Sequence, residues 1–302
     1  MSNPLDRPDR LRGFLLALAA SFLISTNYIT GKFGVDGFGP AVFGLVWMTA
    51  ASCYSLVILL ATGRIEQLNL PTKTRKLVVL VGLFTGLQMY LFWSGLELLN
   101  PPFAAFLGRF EPALTILLAT LFLGERIGLK EAGAVVLMIV GGCLSTFGNW
   151  NVVGTGAVLT LLACLTMSIQ FLIGKAAVGQ VHPSILVFYR ALIASVMLAA
   201  WTFGFGEPNF RVGTEVWGAT LLGAFLGPCA GYHLVFHSYR YWEVSRSAML
   251  MTMQPLFALP LALLLLERQD MTGQQLAGGL TIMAGAMWLI WLHWAGRKKS
   301  PS

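Results

Sequence analysis

The stretch Gly108-Arg109-Phe110-Glu111-Pro112-Ala113-Leu114-Thr115 places an arginine, a glutamate and a proline in a segment that is otherwise apolar enough for lipid. A charge at the middle of a bilayer costs roughly 2.5–3.5 kcal/mol on insertion scales, so such residues face a protein interior or a wet cavity. A weaker copy, Met253-Gln254-Pro255-Leu256, follows, with Pro255 lying 143 residues after Pro112. The stretch and its copy predict two related halves within a membrane protein.

The composition is that of a chain embedded in lipid. Of the 302 residues, 56% are hydrophobic and 11% are charged, with a mean hydropathy of +0.73, whereas soluble domains carry about 25% charged residues. The apolar segments approach the roughly 20 residues that a helix needs to cross the hydrocarbon layer. We therefore predict an all-α integral membrane protein of ten transmembrane helices. The predicted spans 1 to 10 are 12–32, 40–62, 77–99, 102–123, 130–148, 154–175, 183–205, 215–239, 244–266 and 273–295.

The distribution of basic residues predicts the orientation. If the N-terminus is cytoplasmic, 15 Lys and Arg residues fall on the cytoplasmic side and three on the other, and two (Arg109 and Arg190) fall within spans. This excess follows the positive-inside rule and predicts a multi-pass protein of the cell (inner or plasma) membrane with both termini in the cytoplasm. The net charge of +7 is explained by topology, so no nucleic-acid partner is expected.

An internal repeat divides the chain. Gly31-Lys32, seven intervening residues and then Pro40 have their counterpart in Gly174-Lys175 and Pro183. The offset of 143 slips by two in span 3, where Gly82 and Gly86 match Gly223 and Gly227. We predict a tail at 1–11, a first five-helix repeat at 12–148, a second at 154–295 and a tail at 296–302. Because five is odd, the second repeat would be inverted, as in many secondary transporters. Coincidence between two Gly-rich and Leu-rich sequences is the alternative.

The same residues carry a family resemblance. Glu111-Pro112, the apolar run to Leu123-Gly124-Glu125-Arg126, and the glycines that follow resemble the signature of EamA-type transporters of the drug/metabolite transporter superfamily. The copy from Gln254-Pro255 to Glu267 resembles it less tightly. The resemblance is greatest to amino-acid and metabolite exporters of the YddG kind, and it implies export.

Several polar residues within the spans are candidates for a substrate cavity. Their spacing places neighbours on shared helical faces, as for Ser25 and Tyr28 in span 1 and for Tyr90 and Trp93 in span 3. Hydrogen bonding between helices is an equally good explanation. Arg109 would hold a substrate carboxylate or pair with a neighbouring helix. The candidates are Ser25, Asn27, Tyr28, Gln88, Tyr90, Trp93, Arg109, Glu111, Gln170, His233, His237 and Gln254.

Other features have structural interpretations. Pro112 and Pro255 each remove a backbone donor, which predicts paired bends in spans 4 and 9, with transport-independent kinks as the alternative. His233 and His237 lie four residues apart but lack a third metal ligand, so no metal and no cofactor are expected. The glycines of spans 5 and 10 predict peripheral packing helices, with a homodimer contact left open.

These patterns predict a secondary transporter that exports amino acids or related small metabolites by alternating access around a central cavity. The chain contains no nucleophile–base or paired-carboxylate pattern, so an enzyme is not expected. A multidrug or other-metabolite transporter of the same fold is the main alternative. A channel or a receptor-like membrane scaffold is a further alternative.

Overall fold

The computed structural model describes residues 7–99, 103–104, 107–108, 110–123, 129–146, 152–205, 208–241, 244–251, 253–265 and 273–295. These residues form a helical bundle. The helices up to residue 146 are α1 (Arg7–Ser25), α2 (Asn27–Phe38), α3 (Pro40–Ala61), α4 (Thr72–Leu98), α5 (Phe110–Leu123) and α6 (Leu129–Thr146), with a 3-10 turn at Ile65–Leu68. The later helices are α7 (Val152–Val178), α8 (Pro183–Phe205), α9 (Thr214–Ala224), a π-helical segment (Phe225–Gly231), α10 (Tyr232–Ser238), α11 (Val244–Met251), α12 (Gln254–Leu265) and α13 (Gly273–Ala295).

Six helices in the described part of the chain are long and apolar enough to cross a bilayer. They are Leu11–Phe38, Pro40–Ala61, Thr72–Leu98, Gly154–Val178, Pro183–Phe205 and Thr214–Ser238. They coincide with predicted spans 1, 2, 3, 6, 7 and 8. Spans 4, 5 and 9 contain helices α5, α6, α11 and α12, but parts of these three spans lie outside the described residues, and span 10 corresponds to α13. The total of ten therefore stays a prediction.

Helix α3 illustrates how the sequence sets the helix ends. Gly39 adopts φ +74°, and Pro40, at the first helical position, supplies a fixed φ where its missing N–H has no intrahelical partner. At the other end Gly63 adopts φ +64°, and the next N–H, of Arg64, returns to the carbonyl of Leu59 at 3.0 Å. Glycine is favoured in this left-handed conformation because it has no Cβ. Both ends of the helix are thus encoded locally.

Helices before residue 147 pack mainly on helices after residue 151. The largest contacts join α4 to α7 and α8, α3 to α8, and α6 to α13, while α2 packs on α9 and α1 on α10. One buried cluster centres on Phe43, Trp47 and Trp93, and another on Phe171 and Phe236. Many apolar side chains remain exposed on the outer faces, such as Val57, Phe122 and Trp291, which is the pattern expected when the surrounding solvent is lipid.

Two glycine–aromatic contacts share the offset seen in the sequence. A Cβ on Gly31 would lie 2.7 Å from Cη2 of Trp93, and one on Gly174 would lie 2.9 Å from Cε1 of Phe236. Gly174 and Phe236 each follow their counterparts by 143 residues. In both places a helix backbone packs directly on a ring, which only a residue without a side chain allows.

The π-helical segment lies where the sequence offset changes. Seven residues separate Gly86 from Trp93, but nine separate Gly227 from Phe236. The segment Phe225–Gly231 overlaps the longer interval and contains Pro228. A π turn is wider than an α turn and takes up extra residues without ending the helix. This widening accounts for part of the slip of two residues.

The helices of spans 5 and 10 pack on each other at glycines. A Cβ on Gly141 would lie 2.8 Å from the carbonyl oxygen of Gly278, and one on Gly285 would lie 2.9 Å from that of Ala134. These reciprocal contacts join α6 to α13 at the side of the bundle. Whether their outward faces also make a homodimer contact stays a prediction.

Candidate functional site

A cavity of about 60 Å³ lies at the centre of the helices. That volume holds roughly four to six water molecules, at about 10–15 Å³ each. Interrupted helices contribute to its wall, because α1 and α2 meet there and α5 and α12 both begin there. The lining residues are Ile24, Asn27, Tyr28, Gln88, Met89, Phe92, Trp93, Gly108, Glu111, Ala163, Cys164, Met167, Tyr232 and Gln254.

The polar side of the cavity is built from helix ends. Glu111 lies in the first turn of α5 and Gln254 is the first residue of α12. An acidic side chain is stabilised near a helix N-terminus by the unpaired N–H groups there. The hydroxyl of Thr115 donates to Oε1 of Glu111 at 2.6 Å, and the hydroxyl of Ser168 lies 3.0 Å from the Glu111 carbonyl oxygen. Glu111 is therefore held in place by both α5 and α7.

The apolar side is aromatic. Trp93, which is 1% exposed, packs edge-to-face against Phe43 and Trp47 with ring centroids 4.7 and 5.4 Å apart. Phe92 packs against Tyr28 at 5.9 Å. Such pairs fix ring orientation as well as burying area. The cavity thus offers amide, hydroxyl and carboxylate groups on one side and aromatic and thioether groups on the other.

Six of the residues predicted for the cavity line it together. These six come from both predicted halves of the chain, and each is at most 9% exposed. They are Asn27, Tyr28, Gln88, Trp93, Glu111 and Gln254. Arg109 lies outside the described residues.

Five predicted residues do not line this cavity. Ser25 is turned to its own helix and donates to the carbonyl of Phe22 at 2.6 Å. Nδ1 of His233 lies 2.9 Å from the Cys229 carbonyl oxygen, and Gln170 is fully buried beside Tyr232 without lining the cavity itself. His237 lies at one end of the bundle, where its ring centroid is 5.4 Å from that of His182. Tyr90 packs on Trp201 at 4.8 Å and faces a separate cavity of about 360 Å³ that also contains Glu97.

The structure shifts the face of α4 that carries the site. The spacing in the sequence predicted that Tyr90 and Trp93 share the face of α4 that lines the cavity. In the structure that face carries Gln88, Met89, Phe92 and Trp93. These four follow the i, i+4 rule, and this rule alone did not choose between two adjacent faces. Tyr232, Met89 and Met167 were missed because aromatic and thioether side chains are also ordinary packing residues in a bundle.

The two prolines lie at helix starts. Pro112 is the third residue of α5 and Pro255 the second residue of α12. Proline is tolerated in the first turn, because the N–H groups there have no intrahelical partner. The two prolines thus directly follow Glu111 and Gln254 at helix starts, and the predicted bends in spans 4 and 9 stay a prediction. Among the described residues, no group of three or more His, Cys, Asp or Glu side chains is arranged to hold a metal.

Comparison with known sequences decides the family. The pattern of the EamA-like transporter family matches residues 11–147 and again residues 154–291. The chain belongs to the EamA-like transporter family. It is also 24% identical over 232 residues to the Uncharacterized transporter YyaM of Bacillus subtilis (strain 168), over 72% of this chain and 74% of that protein. One crystal structure of a protein matches the fold with a TM-score of 0.70 at 18% identity, over 94% of this chain and 98% of that one.

The family gives the function at a coarse level. This EamA-like chain is a multi-pass membrane protein and a membrane transporter. Transporters of the family are generally not enzymes. The central cavity of this EamA-like transporter is therefore the candidate site at which its cargo is bound.

One end of the EamA-like bundle joins the two matched regions through polar contacts. Nη1 of Arg64 lies 2.7 Å from Nε2 and 3.2 Å from Nδ1 of His182. Thr74 donates to Oε1 of Gln180 at 2.9 Å. These contacts must break if the two regions separate at this end.

Burial and nearby positive charges act on His182 at this end. It lies in the connection between α7 and α8 and is partly buried. Burial, followed by the positive charges of Arg64 and Arg240 and the nearby rings of His237 and His233, lowers the pKa of His182 from 6.5 to about 4. The neutral ring is therefore the form that accepts from Arg64 at neutral pH, since a protonated imidazole has no acceptor nitrogen.

Proposed function

We propose that the protein is a secondary transporter that exports amino acids or closely related small amphipathic metabolites by alternating access. The observation that carries the proposal is the central cavity, in which Asn27, Gln88 and Glu111 meet Gln254 and Tyr232. A buried cavity with a few placed polar groups and an apolar wall is the usual form of a small-molecule site.

The lining favours a substrate with an ammonium group and an apolar side chain. Glu111 is 4% exposed and is the one acidic residue among those that line the cavity in the described part of the chain. A carboxylate at the wall of a cavity favours a cationic group on the substrate, because opposite charges attract more strongly where water is excluded. Phe92, Trp93 and Met167 offer an apolar and polarisable surface for the remainder of the molecule.

Alternating access is supported by how the halves meet. Each predicted half contributes helix ends to the cavity, and the contacts of Gly31 with Trp93 and of Gly174 with Phe236 share one offset. Inverted repeats that rock around a fixed central site explain such matched contacts. The contacts between Arg64 and His182 and between Thr74 and Gln180 would close one end of the pathway.

Direction and orientation come from the sequence. The excess of basic residues places both termini, and the end that carries Arg64 and His182, on the cytoplasmic side of the cell membrane. The resemblance to amino-acid exporters of the YddG kind supports export.

The test is counterflow in proteoliposomes that contain the purified protein. Radiolabelled leucine should accumulate against unlabelled leucine trapped inside, and uptake should saturate. Glu111→Gln should reduce the rate by about 30-fold or more, since removing one partner of a buried charge pair costs about 2–5 kcal/mol. The matched control is Glu97→Gln, because Glu97 is exposed and faces the other cavity. Flux that never saturates would indicate a channel, and the absence of counterflow for a broad panel of amino acids and other metabolites would refute the proposal.

A further inference from the structure

Arg190 is a buried cation next to the central cavity. It lies within α8, its side chain is 0% exposed, and it was not among the residues predicted for the cavity. A guanidinium remains protonated in proteins. Keeping that charge inside the bundle is unfavourable by several kcal/mol unless it is compensated, so its surroundings should reveal what compensates it.

The surroundings compensate only part of the charge. Nη2 of Arg190 donates to the Pro228 carbonyl oxygen at 2.9 Å, and the guanidinium carbon lies 3.6 Å from the centroid of the Tyr232 ring. Nε and Nη1 make no hydrogen bond to any described residue, although both are buried. Arg190 also forms no ion pair within the described ranges. Nε and Nη1 lie on different edges of the guanidinium, so a carboxylate would accept from Nη1 together with the second N–H of Nη2, which is one of the two fork geometries that carboxylates bind.

Tyr232 connects this cation to the cavity. One face of its ring lies against Arg190, and the residue lines the cavity together with Glu111. Tyr232 lies within electrostatic reach of both charges, whereas Glu111 and Arg190 do not pair with each other. The cavity region thus has a negative group on one side and, behind a single ring, a positive group on the other.

We propose that Arg190 recognises the carboxylate of the substrate, while Glu111 takes the ammonium group. In the conformation described, the Tyr232 ring separates the guanidinium from the cavity, and the ring moves aside when a carboxylate enters. The substrate class is then a zwitterion with an apolar side chain, oriented by its two charges. This inference rests on the proposed function and specifies the substrate of that site.

Three probes of one shape separate the two charges. Leucine carries both groups, 3-methylbutylamine lacks the carboxylate, and 4-methylpentanoate lacks the amine. Competition of each probe against leucine counterflow is measured for the wild-type protein, Arg190→Gln, Arg190→Lys and Glu111→Gln. Arg211→Gln is the control, because Arg211 is an exposed loop residue. Folding is monitored by thermal stability in detergent.

The proposal predicts opposite selectivities. Arg190→Gln should weaken competition by leucine and 4-methylpentanoate by roughly 30-fold or more, the lower end of the 2–5 kcal/mol for a truncated buried charge pair. Competition by 3-methylbutylamine should change less than three-fold. Arg190→Lys should retain more leucine binding than Arg190→Gln, since it keeps the charge but not the fork. Glu111→Gln should weaken leucine and 3-methylbutylamine and spare 4-methylpentanoate.

Two results would overturn the assignment. One is an equal loss for all three probes in both Arg190 variants, which would show that Arg190 only supports the fold. The other is unchanged competition by 4-methylpentanoate in a folded Arg190→Gln protein. If Arg190→Gln does not fold, the comparison of Arg190→Lys with wild type decides, and an unchanged ratio of leucine to amine competition refutes the proposal. Failure of leucine counterflow in the wild-type protein would instead refute the proposed function.

Discussion

The hydroxyl of Tyr28 donates to Oε1 of Gln254 at 3.3 Å, so two residues 226 positions apart in the chain meet at the wall of the cavity. Tyr28 belongs to α2 and Gln254 begins α12. This hydrogen bond joins the two predicted halves at the cavity wall. A molecule that binds in the cavity and changes this bond therefore also affects how the two halves move apart.

Replacing this hydroxyl should destabilise the protein slightly and loosen the cavity wall. A typical intramolecular hydrogen bond contributes about 1 kcal/mol to stability, so Tyr28→Phe should lower the thermal unfolding temperature in detergent. It should also lower the apparent affinity for leucine in counterflow, because Gln254 at the cavity wall loses a contact that orients it. Tyr90→Phe is the matched control, since Tyr90 faces the other cavity. An equal effect of both variants would contradict the placement of the site.

The glycine–aromatic contacts should resist any added side chain. Gly31→Ala and Gly174→Ala would push a methyl group against Trp93 and Phe236, and overpacking costs about 1–3 kcal/mol. Both variants should therefore lower the thermal unfolding temperature in detergent. The control is Gly218→Ala, where a Cβ meets nothing within 4 Å, and its stability should be unchanged or raised.

A second substitution tests the cause of that destabilisation. Trp93→Phe in the Gly31→Ala background should recover part of the lost stability, because the smaller ring leaves room for the methyl group. If the double variant is less stable than the sum of the single ones predicts, steric conflict is not the reason.

Acidification should weaken the end that carries His182. The pKa of His182 is lowered from 6.5 to about 4, by burial and then by the charge of Arg64, so the unfolded chain binds the proton more readily than the folded protein. The stability that neutral His182 contributes is therefore present above pH 6.5 and is lost as the pH falls towards 4. The thermal unfolding temperature, measured from pH 7.5 to 4.5, should fall more steeply for wild type than for His182→Asn.

Asparagine is a suitable replacement at this position. The N–H of Ser184 lies 3.2 Å from Nδ1 of His182, and an asparagine oxygen can accept the same bond at the start of α8. Parallel pH curves for the two proteins would show that His182 does not cause the pH dependence.

The proposed topology predicts which connections are accessible from each side. Asn69 and Asn209 are exposed in the structure and lie on opposite sides of the membrane in the predicted topology. Each is replaced, in a separate variant, by a single cysteine. In intact cells a membrane-impermeant thiol reagent should modify the cysteine at 209, and the one at 69 only after the membrane is opened. The reverse pattern would place both termini outside.

Cavity residues were easiest to predict from the sequence where a polar residue stands in an apolar segment. Glu111 and Gln254 were found because a polar group in an apolar run needs a partner, and both line the cavity. The helical periodicity of α4 was read correctly, but the choice between adjacent faces depends on which neighbours pack there, and so Tyr90 was placed with the wrong group. His233 was misjudged because a histidine in a helix can satisfy itself on a backbone carbonyl one turn back.

The π-helical segment Phe225–Gly231 determines the rotation, about the helix axis, of the helix that follows it. Each residue of an α-helix turns the chain by about 100°, so removing one residue from the wide turn would restore α geometry and rotate everything after it by about that amount. Tyr232, the next residue, would swing away from both the cavity and Arg190. The number of residues in this turn therefore decides in which direction the side chains of α10 point, whatever the identity of those residues.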